Sequence, residues 1–194
     1  MAEIRKVAVI GAGVMGAGIA AHIANAGVPV VLLDIVPKGA NDRSTIARGA
    51  VAKMLKTNPA PFMHKRNAKL IETGNLEDDL SALSDCDWIC EAIIENPQIK
   101  RDLYKRLNEV RKPGSVVTSN TSTIPLADLV SQMDDSLRKR FIIVHFFNPP
   151  RYMRLIELVT GPDTDPAAAE RARAFSDERL GKTVVPCNDR PGFI

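Results

Sequence analysis

No apolar stretch in this 194-residue chain approaches the ~20 residues that a membrane-spanning helix needs, so a bilayer-embedded protein is not expected. Cysteine is scarce and badly placed for a disulfide frame. Of the three, Cys86 and Cys90 fall in or beside an apolar run and Cys187 stands alone. CDWIC also has the wrong spacing for a CxxC redox or metal pair, so reduced core thiols in a cytosolic protein are expected. Aromatic content is low at 5 %, while the apolar and charged fractions are those of an ordinary globular protein. The net charge of +3 is too small to argue for nucleic acid. No internal repeat, low-complexity tract or long linker is present. The first six residues lead straight into an apolar run, which leaves no room for a signal peptide. No metal site is expected, and the length suits one large domain or two small ones.

What is present is concentrated first in residues 4–34, IRKVAVIGAGVMGAGIAAHIANAGVPVVLLD. The β-branched run at residues 7–10 reads as a strand buried on both faces. It breaks at Gly11-Ala12-Gly13-Val14-Met15-Gly16, and an alanine-rich helix carries on to Ala26. Gly27 suits the left-handed residue that ends a helix. A second apolar run at residues 29–33 closes on Asp34, eighteen residues after Gly16. Gly11 permits the turn, Gly13 lets the backbone approach a pyrophosphate, and Gly16 lets the helix sit close to the strand. The helix N-terminus offers N–H groups and a partial positive charge to phosphates. Asp34 can accept hydrogen bonds from an adenosine ribose and would repel a 2′-phosphate; Ile35 and Val36 follow it, with no arginine to welcome NADP. A lone GxGxxG carries little weight, but here it sits in a complete strand–turn–helix–strand–acid unit of about 30 residues, which points to NAD.

Residues 43–69 hold Arg43, Arg48, Lys53, Lys56, Lys65, Arg66 and Lys69 and no acidic residue. Residues 40–55 read as a helix with an apolar stripe beside a basic one, stopped by Asn58-Pro59-Ala60-Pro61. The stripe is either a solvated face or a landing site for an anionic ligand. An edge strand is expected at residues 69–73 and a short acidic helix at 76–83. The buried strand WICEAII at residues 88–94 delivers Glu95 to the sheet's carboxyl end, where ligands bind in open α/β sheets. Asn96 can cap the helix that Pro97 begins. Lys100 lies on its first turn, either reaching the same edge or forming a helix-start ion pair with Glu95. A strand at residues 115–119 leads into Ser119-Asn120-Thr121-Ser122-Thr123, a string that either caps the next helix or presents polar groups to a ligand.

Residues 140–161, RFIIVHFFNPPRYMRLIELVTG, form two strand-like runs about a turn at Asn148-Pro149-Pro150. If the runs pair antiparallel about Arg151, His145 and Glu157 fall opposite one another on one face. A carboxylate that fixes a histidine's tautomer is the usual build of a general base. A one-residue slip would instead leave a core histidine beside a surface glutamate.

SNTS at residues 119–122, HFFNP at 145–149, LIEL at 155–158 and PGFI at 191–194 together resemble the NAD-binding half of L-3-hydroxyacyl-CoA dehydrogenase, over essentially the whole chain. The resemblance implies that His145 is the catalytic base and Glu157 its partner, that Ser122 hydrogen-bonds the reacting oxygen, and that Asn148 helps shape the site. It places Glu95 and Lys100 beside the nicotinamide and turns the basic segment into the arm that receives CoA. The expected cofactor contacts are Gly11, Gly13, Val14, Met15, Gly16 and Asp34, with Glu95, Lys100, Asn120 and Ser122. Members of this family continue past PGFI into a helical domain that completes the site and the dimer. This chain is therefore expected to be an NAD-binding domain whose residues 188–194 form the hinge, with little activity alone. Its parent is expected to be a cytoplasmic homodimer or a fused multifunctional enzyme that acts on acyl-CoA in fatty acid β-oxidation.

The fold expected is a doubly wound, mostly parallel Rossmann-type sheet, parallel through its first five or six strands, with a C-terminal antiparallel hairpin and a basic helical arm after the second strand. A helix over residues 166–180 and a last strand at 183–186 would complete it. Two other functions compete with acyl-CoA oxidation: a dehydrogenase of a free hydroxy acid or sugar acid, and a non-catalytic NAD-binding module.

Overall fold

Val7–Ile10 forms β1, and all four residues are fully buried because the strand is covered on both faces and paired on both edges. Its side chains alternate between two separate cores. Val7 and Val9 join one cluster, while Ala8 and Ile10 join the other. This is why the run shows no polar–apolar alternation. The computed structural model describes residues 3–190 and 192. Of the expected hinge, residues 188–190 and Gly192 are described, and the other three residues of the PGFI motif lie outside the described residues.

The glycine turn leads into α1 (Val14–Asn25), and β2 (Val30–Asp34) returns parallel to β1. Then come α2 (Thr45–Met54) and β3 (Ile71–Asn75), which pairs parallel with β2 at the sheet's edge. The chain crosses to the other side of β1 for β4 (Trp88–Glu91), followed by α3 (Pro97–Val110) and β5 (Val116–Ser119). Short helices α4 (Leu126–Val130) and α5 (Asp135–Arg138) precede β6 (Phe141–Phe146), which runs parallel to β5. β7 (Leu155–Val159) turns back antiparallel to β6. After α6 (Pro166–Ala174), β8 (Thr183–Cys187) pairs parallel with β7. The sheet has eight strands in the order β3-β2-β1-β4-β5-β6-β7-β8. It is parallel from β3 through β6 and then carries the expected hairpin. Among the described residues no helix is long and apolar enough to cross a membrane, and no group of three or more His, Cys, Asp or Glu is placed to hold a metal ion. The three cysteines are free thiols.

Several boundaries differ from the sequence expectation, each for a local reason. The helix expected from residue 40 starts at Thr45, because the Asp42 carboxylate and carbonyl take the Ser44 and Thr45 N–H groups and hold residues 42–45 in a turn. The edge strand begins two residues later than expected, since Lys65–Leu70 winds as a 3-10 turn before it. The acidic helix expected at 76–83 is a 3-10 turn at Leu80–Asp85; the Asn75 side chain accepts from the Glu77 and Asp78 N–H groups and delays it. The fourth strand ends at Glu91, not Ile94, because Ala92 and Ile93 pass against Gly11 and the Glu91 side chain takes the Ile93 N–H. The helix after β7 keeps its expected span but changes winding: Phe175–Arg179 is a wider π turn, closed by the Leu180 N–H on the Phe175 carbonyl. β8 runs one residue further than expected, to Cys187.

Candidate active site

Two glycines make the first turn possible by contact, not by flexibility alone. Gly11 has φ +101°, and a Cβ there would stand 2.5 Å from the Ala92 carbonyl oxygen. A Cβ on Gly16 would lie 1.8 Å from the Gly11 carbonyl oxygen. Gly13 differs, since its missing Cβ would meet nothing within 4 Å. It faces an open cleft. Gly13 is also the N-cap of α1 and supplies no side-chain oxygen, so no side chain bonds the first-turn N–H groups there. Asp34, at the end of β2, accepts from the Ala12 N–H at 2.6 Å and from the Ile35 N–H at 2.7 Å. Each oxygen keeps a second lone pair, so Asp34 can brace the turn and still receive a ribose hydroxyl.

The cleft, about 470 Å³, brings together Gly13, Val14 and Met15 from the turn, Glu95 and its neighbours 92–94, Asn120 and Ser122, and residues 145–148. Most of the site expected from the sequence is therefore one wall-to-wall surface. Asn120 is fixed because its Oδ1 accepts the Phe146 N–H at 2.8 Å, bridging the ends of β5 and β6. Glu95 accepts from the Ser122 N–H at 3.1 Å and from the Thr121 hydroxyl at 3.0 Å, so it shapes the loop that presents Ser122.

His145 and Glu157 are direct partners across β6 and β7. Their Nδ1 and Oε2 are 2.6 Å apart. Glu157 is 3 % exposed and sits behind the ring, away from the cleft. The His145 ring also lies 4.8 Å from the Phe147 ring, centroid to centroid. The pair commits Nδ1 and makes Nε2 the nitrogen suited to proton exchange.

Of the two readings the sequence leaves for Lys100, the ion pair with Glu95 is the one present. Lys100 is 1 % exposed, behind Glu95 and outside the cleft, with its ammonium 2.6 Å from Glu91 and 3.6 Å from Glu95. Glu91 is the hub that the sequence reading missed. It is fully buried and also accepts from the Tyr104 hydroxyl at 2.5 Å, the Ser119 hydroxyl at 2.8 Å and the Ile93 N–H at 2.8 Å. Burial, helped by the Glu91 charge, pushes the Tyr104 phenol well above its ordinary range. A lone acid inside the apolar run WICEAII was the available signal, because a buried carboxylate requires donors.

A second cavity of about 420 Å³ opens from the same turn. It shares Gly13, Val14 and Asn148 with the first, then runs between Lys53, Met54, Thr57, Pro59 and Pro61 on one side and residues 149–152 on the other. The basic segment thus borders the site. Two of its seven cations are neutralised, Arg43 by Asp78 and Arg48 by Asp42. Among the described residues the other five form no carboxylate ion pair.

A family model described as "3-hydroxyacyl-CoA dehydrogenase, NAD binding domain" matches residues 6–190. The chain belongs to that family. A probable 3-hydroxyacyl-CoA dehydrogenase from Deinococcus radiodurans is 48 % identical over 192 residues, which is 99 % of this chain and 56 % of that protein. A putative fatty acid oxidation complex trifunctional enzyme from Rickettsia felis is 46 % identical over 99 % of this chain but only 27 % of its own length. The structure of 3-hydroxybutyryl-CoA dehydrogenase from Escherichia coli K12 superposes with a TM-score of 0.84 at 29 % identity, covering 100 % of this chain and 40 % of that one. The chain thus spans about half or less of these relatives. This NAD-binding domain of the 3-hydroxyacyl-CoA dehydrogenase type presents an open helix N-terminus, a glycine without a Cβ to block the cleft, and a carboxylate at the second strand's end.

Proposed function

We propose that the protein oxidises the 3-hydroxyl of an L-3-hydroxyacyl-CoA to the 3-oxoacyl-CoA, with NAD as hydride acceptor. The observation that carries this reading is the 2.6 Å His145–Glu157 pair at the wall of the cleft that the glycine turn and Ser122 also line. When bound, NAD⁺ supplies an electrophilic nicotinamide C4 that takes the C3 hydride. Everything else is done by this chain. His145 accepts the hydroxyl proton at Nε2 as the C3–H bond breaks and the C3=O double bond forms. Glu157, buried behind the ring, stabilises the imidazolium that forms, and release of the Nε2 proton restores the neutral ring. Ser122 donates its hydroxyl hydrogen to the reacting oxygen, Asn148 shapes the junction of the two cavities, and Glu95, which holds the loop that presents Ser122, would help hold the nicotinamide side of the cofactor. Holding both reactants in one geometry contributes much of the rate.

The acyl-CoA is assigned to the second cavity, whose apolar walls end at the basic arm. We place the protein in the cytoplasm, in keeping with its three free thiols, in a parent that is a homodimer or a fused multifunctional enzyme of fatty acid β-oxidation. The test is NADH oxidation by acetoacetyl-CoA, followed at 340 nm in the complete protein. A protein that oxidises NADH with free acetoacetate as readily as with the thioester would sink the reading.

The cofactor choice rests on Asp34. NADH should bind well and NADPH poorly, and Asp34→Ala should weaken NADH by roughly tenfold or more, the size expected for a lost charge-assisted hydrogen bond. Fluorescence titration with both cofactors checks it; equal affinity in the unmodified chain would refute it.

The CoA end rests on the arm. Exposed charges are screened over ~10 Å at 0.1 M salt, so acyl-CoA binding should weaken as salt rises. Lys53→Glu with Lys56→Glu should weaken it further while leaving NADH affinity alone. Calorimetric titration at 50 and 500 mM salt makes the comparison, and a dissociation constant indifferent to both changes would leave the arm as a solvated face.

A further inference from the structure

Lys182 is a buried cation that the mechanism above does not use. It stands just before β8, after Gly181, and is 3 % exposed. Among the described residues no carboxylate pairs with it. Its ammonium instead donates to two backbone carbonyls, those of Pro150 and Met153, the second at 2.7 Å. Burial alone pulls its pKa down to about 8, which shows that the surroundings resist the charge. A buried cation with no counter-ion is a costly way to fill space. Its use must lie in what it holds.

What it holds is the turn at residues 148–153. The Tyr152 and Met153 N–H groups both fold back onto the Pro149 carbonyl, at 2.9 and 3.0 Å. That leaves the Pro150 and Met153 carbonyls converging on one point, which a cation can occupy and a neutral apolar group cannot. From the other side, Pro150 rests on α1, where a Cβ at Gly18 would lie 3.0 Å from its ring. The turn then grips the arm. Arg151 donates to the Ala60 and Phe62 carbonyls, and the Tyr152 hydroxyl donates to Ala60 at 3.0 Å. Residues 149–152 form one wall of the 420 Å³ cavity, and Pro59 and Pro61 belong to the other. A line of contacts thus runs from β8 through Lys182 to the turn and on to the arm.

We propose that Lys182 is a positioning residue for acyl-CoA: its ammonium gathers the Pro150 and Met153 carbonyls, sets the turn that follows Asn148, and so fixes the spacing between the two walls of the substrate cavity. The proposal rests on the acyl-CoA reading of that cavity. Lys182 touches neither cavity itself and acts only through the turn. Nothing it contacts belongs to the glycine turn or to Asp34, so the cofactor side is left as it is.

The experiment compares the unmodified full chain with Lys182→Met, which keeps length and removes charge and donors, and with Lys182→Gln, which keeps a donor and serves alone if the first variant does not fold. Three quantities are read: amide hydrogen exchange at Tyr152 and Met153, the NADH dissociation constant, and KM and kcat for acetoacetyl-CoA. In Lys182→Met the two amides should exchange about tenfold faster or more and KM should rise by about tenfold, the size of a lost charged hydrogen bond. NADH affinity should stay within about twofold, and kcat should fall less than KM rises. Lys182→Gln should show the same pattern more mildly. If NADH affinity falls in step with KM, or the two amides exchange as before, Lys182 is merely structural and the proposal is overturned. Equal acetoacetyl-CoA binding by variant and unmodified protein also overturns it. An unmodified protein that does not bind acetoacetyl-CoA brings down the acyl-CoA reading, and the proposal with it, whatever the amides do.

Discussion

His145→Gln should lower acetoacetyl-CoA turnover by a factor on the order of 100 or more while NADH binds almost as before, the loss expected when a positioned general acid–base is removed. In the reductive direction the imidazolium must deliver a proton to the oxygen as hydride arrives at carbon, and glutamine has no proton to deliver at neutral pH. The side chain at 145 lines the cleft but belongs to neither the glycine turn nor the Asp34 end of the cofactor site, so binding and turnover should separate. Glu157→Gln should act in the same direction with a smaller loss, because an amide can still meet Nδ1 but no longer offsets the charge that develops on the ring. Steady-state kinetics beside NADH titration measures both effects. Near-parental turnover by His145→Gln would remove the residue from the mechanism.

Acid should destabilise the fold between about pH 6.5 and pH 4 by roughly 3 kcal/mol through a second histidine, His22. His22 lies on α1, 5 % exposed, with its Nε2 3.1 Å from the Leu180 carbonyl. An acceptor there requires Nε2 to carry the hydrogen. Nδ1 is therefore the unprotonated nitrogen, and it is buried with no hydrogen-bond partner among the described residues. Adding a proton would place a charge in the core with nothing to receive it, beside the Lys182 ammonium. Burial first, and then that neighbouring charge, lower the His22 pKa from 6.5 to about 4. The sign follows from which state binds the proton. Below pH 6.5 the unfolded chain takes it and the folded chain refuses it, so stability falls with pH until about pH 4 and this contribution then levels off. Carboxylates add their own acid sensitivity, so the comparison is between slopes. Urea unfolding at pH 7, 5.5 and 4 should show a shallower loss for His22→Gln than for the unmodified chain. Parallel slopes would mean that His22 does not resist protonation.

How much of this was legible beforehand depended on whether the information was local. The strand–turn–helix–strand unit that ends on Asp34 lies within about thirty residues, and it stands where the spacing places it, although Gly11 also answers to the distant Ala92 carbonyl. The Asn96 cap is likewise as expected, with its side chain accepting from Gln98 and Ile99. Counting outward from Arg151 put His145 opposite Glu157, because a short turn between two strands leaves few registers. Glu91 left only half a mark, an acid inside an apolar run with nothing to name its partners. Its donors come from α3 and β5, and only the packing of those layers turns one acid in an apolar run into a hub. The end of β4 was hidden too, since Ala92, Ile93 and Ile94 are apolar enough to continue a strand. What stops them is the passage of Ala92 and Ile93 against Gly11. Lys182 was the least visible, because its acceptors are main-chain carbonyls about thirty residues away, and carbonyls leave no mark in a sequence.

The strand order has a consequence for how the protein is made. From β4 onward, each strand joins the sheet beside the one translated just before it, so the ribosome feeds a single growing edge. β4 alone must find a strand made long before: Trp88 pairs with Val7. Closing so long a loop adds only a slowly growing entropic cost. The hazard is different. Until Glu91 has left the exit tunnel, β1 holds its place beside β2 with its other edge bare, and that edge is Val7-Ala8-Val9-Ile10, a template for pairing with any other extended chain nearby. That edge stays bare from the completion of β2 at Asp34 until Trp88 emerges.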